Sequence, residues 1–429
     1  MNSLPVLHSL DLDMPIFIYK DKKISHKTFK QNVLLVAENM QQHKYAINLC
    51  EDRYLFALAF VANIIQKNIC LLPAHYAENE IKKIEDDYSD TQRLNDEALE
   101  KLLEGKAARN ISFPDEININ QVVAIVFTSG SSGKPKANLK KWGMLVDSAQ
   151  RVAQQLNLNH LSQHTLVATV PPQHMYGFET TIIFPLVTGV CVWSNKPFFP
   201  EDIRQALSVA NKPVILVTTP IHLRACVQAH LEWPGIDFVL SATAPLSQQL
   251  AQDVEKHLHT SVHEIYGCSE AGVIATRLTT QSPAWKLLAG YQLSEKLTSA
   301  CLLTPIAGEE ILLPDQIKHI DAQYFYLLGR QSDLIKIAGK RGSLNDLRIK
   351  LCSLEGVDDA VFFMPNEKPD EKARVAAFVI APCLSVKEIN SFLSQQVDHA
   401  FLPRPLIKVE KLPYNETGKL PLKNLVNLL

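Results

Sequence analysis

The chain has 429 residues, of which 46% are apolar and 21% charged, a globular composition long enough for two or more domains around sizeable cores. Its 43 Lys and Arg against 45 Asp and Glu leave a formal charge of -2, which excludes the polybasic field that drives nucleic-acid or membrane-surface binding. Partners are expected among small molecules.

The first thirteen residues carry two acids and no Lys or Arg, so the positive n-region of a secretory signal is missing and a cytoplasmic location is expected. Residues 55–65 predict a buried helix and 69–72 a strand, whereas 78–106 read as solvated helix or linker. From residue 122 short β-branched runs alternate with longer helical stretches, the pattern of a sheet with helices packed on its faces. Strands are predicted at 122–127, 166–170, 190–193, 213–218, 236–241 and 261–265, with helices at 142–156 and from Glu201 and Leu246. The apolar stretch 180–193 is shorter than the roughly 20 residues of a bilayer span and contains Pro185 and Gly189, so no transmembrane helix is expected. Beyond Gly329-Arg330 the texture becomes a compact α+β unit, with strands at 357–363 and 374–380 and helices at 347–354 and 386–397. A large α/β domain over residues 1–330 and a small α+β domain over 331–429 are therefore expected. The eight cysteines form no Cys-x-x-Cys pair, which argues against a zinc site or a disulfide framework and predicts reduced core residues.

After the predicted strand at 122–127 comes Thr128-Ser129-Gly130-Ser131-Ser132-Gly133-Lys134-Pro135-Lys136. Glycines let a backbone approach a polyphosphate with its N–H groups turned inward, hydroxyls donate hydrogen bonds, and lysine neutralises charge. It is not a Walker loop, which requires Gly where Thr128 stands and Ser or Thr where Pro135 stands.

This segment resembles the phosphate loop of the adenylate-forming superfamily, which includes acyl-CoA synthetases, peptide-synthetase adenylation domains and firefly luciferase. Further stations follow in the family's order. Pro171-Pro172-Gln173-His174-Met175-Tyr176-Gly177 resembles its His loop, which implies that His174 lines the acyl pocket. Thr218-Thr219-Pro220 and Ser241-Ala242-Thr243-Ala244-Pro245-Leu246 are similar to stations near the adenine, with Ala242 and Thr243 where the family has two glycines. Tyr266-Gly267-Cys268-Ser269-Glu270 resembles the Tyr-Gly-x-Thr/Ser-Glu segment. The likeness implies that Tyr266 stacks on adenine, Gly267 borders nucleotide and acid, Ser269 touches phosphate, and Glu270 holds Mg²⁺ with Thr128. One carboxylate suffices in principle, because substrate phosphates supply the other hard oxygen ligands.

Asp315, fourteen residues before Gly329, stands at the spacing of the family's ribose-binding Asp. Gly329-Arg330-Gln331-Ser332-Asp333-Leu334-Ile335-Lys336-Ile337-Ala338-Gly339-Lys340-Arg341 resembles the interdomain hinge, with Ser332 at the hinge position, Arg330 beside the nucleotide and Lys336 on the face used in thiol transfer. Pro413-Tyr414-Asn415-Glu416-Thr417-Gly418-Lys419 resembles the signature that carries the catalytic lysine, here Lys419.

The resemblance implies a ligase that uses ATP and Mg²⁺ to adenylate a carboxylic acid, aryl or fatty acyl. The acyl group would then pass to a pantetheine thiol of CoA or holo-acyl carrier protein, and the small domain would be mobile. The short region ahead of the phosphate loop also resembles stand-alone ligases of the aryl-polyene type. Two alternatives stay open: activation of an amino acid, for which Glu179 would replace the Asp expected near the His loop, and a nucleotide-binding scaffold without catalysis.

Overall fold

The computed structural model describes residues 2–8, 11–106, 111–128, 136–157, 161–296, 299–306, 310–330, 333–337, 339–365, 374–414 and 420–429. The protein is a mixed α/β molecule with two compact units, Met1–Tyr291 with Leu303–Ile311, and Gln292–Leu302 with Leu312–Leu429.

The first unit contains the hairpin β1 (Pro15–Tyr19) and β2 (Lys22–Ser25). Among its further elements are β3 (Tyr45–Asn48), α1 (Arg53–Ile65), β4 (Ile69–Leu72), α2 (Glu78–Asp87), β5 (Thr91–Leu94), β6 (Val122–Thr128) and β7 (Lys136–Lys141). The five strands β3 to β7 form one sheet of order β5-β3-β4-β6-β7, parallel except for its antiparallel edge strand β7. α1 is apolar on nearly every side and buried on every side, as such a helix must be. Asp52 caps it by accepting from the Tyr54 and Leu55 amides. α2 packs Ile81 and Ile84 against Ile47, Leu71, Ile125 and Phe127 of the sheet. The segment read as solvated therefore contains β5, whose Thr-Gln-Arg-Leu sequence carries no apolar alternation.

A second sheet and the helices packed on it include α3 (Trp142–Gln155), β8 (Thr165–Ala168), β9 (Cys191–Trp193), α4 (Pro200–Val209), β10 (Val214–Thr218), α5 (Pro220–Gln228), β11 (Phe238–Ser241), α6 (Gln248–Leu258), β12 (Ser261–Cys268), β13 (Gly272–Leu278) and β14 (Trp285–Leu287). Within the unit its order is β14-β13-β12-β11-β10-β8-β9-β1-β2. Strands β1, β9, β8, β10, β11 and β12 run parallel, and β12, β13 and β14 antiparallel. Its parallel strands are continuous apolar runs because helices cover them. Val167, Leu216, Val239 and Val262 pack against Leu207 of α4, Leu223 of α5 and Val254 of α6. Among the described residues no helix is long and apolar enough to cross a membrane.

The second unit contains the hairpins β15 (Asp315–His319) with β16 (Tyr324–Arg330) and β17 (Leu334–Ile337) with β18 (Lys340–Ser343). It also holds α7 (Leu344–Cys352), β19 (Asp359–Phe363), β20 (Ala376–Ile380), α8 (Val386–Gln396) and β21 (Leu406–Lys408). Ile335, Ile337, Leu347, Leu351, Ile389 and Leu393 share one core with the three-stranded sheet β19-β20-β21. The cysteine expectation needs one correction. Five of the eight are buried, but Cys268 and Cys352 are half-buried and Cys383 is exposed, because it lies in the turn between β20 and α8, where no face meets a core.

Candidate active site

The site in the first unit is built around one turn. β12 and β13 form an antiparallel pair whose connection contains Ser269 and Glu270, and the register shifts between Tyr266 and Gly267. A Cβ at Gly267 would lie 2.4 Å from the Gly272 carbonyl oxygen, so the two backbones approach this closely only because the residue is glycine. From the other sheet, Lys136 at the start of β7 reaches this turn and places Nζ 2.5 Å from Glu270 Oε1. Thr128, the last residue of β6, pairs in register with Lys136 and aims its hydroxyl at the Lys136 carbonyl at 3.5 Å. The end of the phosphate-loop segment and the Tyr-Gly-x-Ser-Glu segment, 134 residues apart, thus meet.

Burial pushes the Glu270 carboxyl upward, but the Lys136 hydrogen bond and its own turn hold it below the ordinary carboxylate range. It is therefore ionised at neutral pH. Among the described residues no group of three or more His, Cys, Asp or Glu could hold a metal by itself. A single ionised carboxylate suits Mg²⁺ whose remaining ligands are phosphate oxygens and water, so the donor set fits that ion. Ser129, Gly130, Ser131, Ser132 and Gly133 lie outside the described residues.

His174, Thr243 and Ala244 lie past the carboxyl ends of the parallel strands β8 and β11, where open α/β sheets bind ligands. His174 precedes the helical segment Met175–Phe178, and its carbonyl accepts from the Phe178 amide at 2.7 Å. Gly177 packs on the Pro171 carbonyl so tightly that a Cβ would sit 1.9 Å from its oxygen. Tyr176 donates to the Leu240 carbonyl at 2.9 Å, which ties the His segment to the end of β11. Immediately beyond, Thr243 has φ +79, a left-handed backbone that a β-branched residue adopts only under strain. The chain keeps a glycine conformation there without the glycine, and Ala244 follows half-buried. Tyr266 is buried, its ring centroid 5.7 Å from that of Trp285.

Three of the described candidates lie in the second unit. Asp315 and Arg330 face each other across the β15–β16 hairpin, with Arg330 Nε 3.8 Å from Asp315 Oδ1 and Asp315 only 7% exposed. Lys336 is exposed on β17, whose Ile335 and Ile337 point into the core. Lys419, and the hinge residues Gln331 and Ser332, lie outside the described residues.

Sequence reasoning missed strand β7 and with it Lys140. The six residues Lys136–Lys141 hold three lysines and an asparagine and carry no apolar strand signal, yet Asn138 and Lys140 are buried. No local signal marks them, because their burial depends on a sheet distant in sequence.

Residues 34–302, well over half the chain, match the protein family described as AMP-binding enzyme. The chain is 25% identical over 339 residues to the protein named "Putative long chain fatty acid-CoA ligase VraA" of Staphylococcus epidermidis, covering 73% of each. To 4-coumarate–CoA ligase of Halorhodospira halophila it is 25% identical over 303 residues, covering 68% of this chain and 73% of that one. Among solved structures, o-succinylbenzoate coenzyme A synthetase (MenE) from Bacillus subtilis, in complex with ATP and magnesium ion, is similar at a TM-score of 0.83 over 99% of this chain and 100% of that one. At 17% identity that likeness shows the fold alone. The match over residues 34–302, carrying the stations that frame the Lys136–Glu270 contact, places the chain in the family of AMP-binding enzymes.

Proposed function

We propose that the protein is an AMP-forming acid–thiol ligase that adenylates a carboxylic acid and transfers the acyl group to a pantetheine thiol. The observation that carries this reading is the Lys136–Glu270 contact, which joins the phosphate-loop segment to a single ionised carboxylate. A carboxylate is a poor acyl donor because its oxygen is a bad leaving group. In the first half-reaction a carboxylate oxygen attacks the α-phosphorus of ATP, the bond to the β-phosphate oxygen breaks, and pyrophosphate departs. In the second, the thiol sulfur attacks the acyl carbon and loses its proton, the bond to AMP breaks, and a thioester forms.

Both half-reactions bring anions together, so cations aimed at the phosphates supply the stabilisation. Glu270 and Thr128 would hold Mg²⁺, which when bound neutralises phosphate charge. Thr128, Ser129, Gly130, Ser131, Ser132, Gly133 and Lys136 would cradle the phosphates, with Ser269 in reach of them. Thr243, Ala244, Tyr266 and Gly267 would border the adenine, and Asp315 with Arg330 would hold the ribose through charge-assisted hydrogen bonds. His174 and Gly267 would line the acid. Lys419 would bridge carboxylate and α-phosphate during adenylation, and the Lys336 face of a mobile small domain, 331–429, would replace it for thiol transfer.

Amino-acid activation is the weaker reading. Glu179, the residue it would need for the substrate ammonium, is buried, accepts from Ser148 Oγ at 3.1 Å and interacts with the Lys140 charge. A nucleotide-binding scaffold without catalysis would use the same ionised Glu270, and it differs from a ligase in exchanging no pyrophosphate with any acid. For the acceptor, CoA has the support of the CoA-ligase names among the relatives, whereas a carrier protein and an aryl-polyene role rest on the sequence resemblance alone.

Exchange of labelled pyrophosphate into ATP, over aromatic, short-chain and long-chain acids with magnesium, tests the adenylation step. CoA and holo-acyl carrier protein as competing acceptors then decide the second step. No exchange with any acid would overturn the ligase reading.

A further inference from the structure

Lys140 is 1% exposed, the most deeply buried lysine among the described residues. It lies on β7 four residues after Lys136, so the strand's two-residue period puts both on one face. Both reach from the five-stranded sheet to the same turn of the other sheet. Lys136 takes the Glu270 carboxylate, whereas Lys140 Nζ donates to the Ser269 carbonyl and, at 3.2 Å, to the Glu270 carbonyl.

Behind the turn stands Glu179, at the start of a π-helical stretch, Glu179–Ile183. A Cβ at Gly272 would lie 2.5 Å from Glu179 Oε1, so the carboxylate abuts the far end of the turn. Ser148 of α3 donates to it. Burial lowers the Lys140 pKa, and Glu179 is the largest opposing charge.

Desolvating a cation and a carboxylate costs several kcal/mol per ion, and an apolar pair would fill the same space without that cost. An inward-pointing charge can also guard an edge strand against aggregation, but such a charge needs no fixed acceptors. This one is directed at the two carbonyls that flank the candidate metal ligand.

We propose that Lys140, with Glu179 as its counter-charge, is a positioning residue that holds the Ser269–Glu270 backbone so that the Glu270 carboxylate is aimed at a nucleotide-bound divalent cation. The inference rests on the nucleotide-binding part of the proposed function. Lys136 is solvent-facing and can leave Glu270 when phosphate arrives; Lys140 grips the backbone and stays.

The test is Mn²⁺ binding to the full-length protein in the presence of a non-hydrolysable ATP analogue, read by water-proton relaxation. The double variant Lys140→Met/Glu179→Gln removes both buried charges together, so the core is left without an unpaired ion. It should weaken Mn²⁺ at least tenfold while metal-free affinity for the analogue stays within twofold of wild type. A folded double variant with unchanged Mn²⁺ affinity would overturn the inference. Should that variant not fold, Lys140→Gln, whose shorter and uncharged side chain weakens the grip on the two carbonyls, is read in the same way: at least a threefold loss is expected, and no loss overturns it. Wild-type protein that binds Mn²⁺ with the analogue but exchanges pyrophosphate with no acid would end the ligase reading and leave this inference standing. Wild-type protein that binds no Mn²⁺ with the analogue would end both.

Discussion

Two lysine-bearing strands, one in each unit, are organised in opposite ways. On β7 the functional face turns toward protein, with Asn138 and Lys140 buried and Lys136 already on Glu270. On β17 the apolar residues Ile335 and Ile337 are buried, and Lys336 is exposed. The first strand anchors a carboxylate before any ligand arrives, which is what electrostatic preorganisation requires. The second spends its buried face on the core and keeps its cation in water. On the proposed reading β7 serves the phosphates, whereas β17 carries a cation used only in thiol transfer.

The largest expected effect divides these roles most sharply. Lys419→Ala should cut adenylate formation about 10²–10³-fold, as loss of one preorganised transition-state contact does. Thiolysis of a supplied acyl-adenylate should stay near wild type. Equal loss of both steps would break the division between holding and delivering.

Next comes the carboxyl behind the turn. Burial pushes the Glu179 carboxyl up to about 7 from an ordinary 4.5. Between those values the folded protein retains a proton that the unfolded chain has released. Stability therefore falls as pH rises through that window and levels off above it, by roughly 3 kcal/mol in all. Glu179→Gln should remove this slope. Urea unfolding of both proteins from about pH 5 to 8 measures it, and parallel curves would mean that the Glu179 carboxyl takes up no proton on folding.

In the second unit, Asp315→Asn should raise the KM for ATP about tenfold with a smaller change in kcat, because a charge-assisted contact to ribose is made in ground and transition states alike. A kcat loss with unchanged KM would place Asp315 elsewhere in the mechanism. The smallest effect is expected at Thr243, where Thr243→Gly should stabilise the protein by about 1 kcal/mol in urea unfolding, since relief of left-handed strain outweighs the added freedom of the unfolded chain. Destabilisation would mean that the threonine side chain compensates for its backbone.

Most of the fold was legible where burial follows a local pattern. The predicted strands at 122–127, 213–218 and 236–241 correspond to β6, β10 and β11, and the expected helices at 142–156 and 386–397 to α3 and α8. These segments are apolar runs or amphipathic repeats, so each carries its own signal. β5 and β7 were illegible for the converse reason: Thr91–Leu94 and Lys136–Lys141 are polar strands that owe their conformation to pairing with a neighbour. Motif order likewise identified Lys136, Glu270, Asp315 and Arg330 as candidates, but not which of them touch.

The sequence by itself determined the α/β class, the order of the nucleotide stations and the family, because hydrophobic period and short motifs are properties of neighbouring residues. Only the tertiary structure decided that Lys136 meets Glu270, that Asp315 opposes Arg330, and that Lys140 is buried against two carbonyls. Each of those facts is a contact between segments remote or offset along the chain, fixed by sheet register and the packing of one sheet beside another, and no local pattern encodes it.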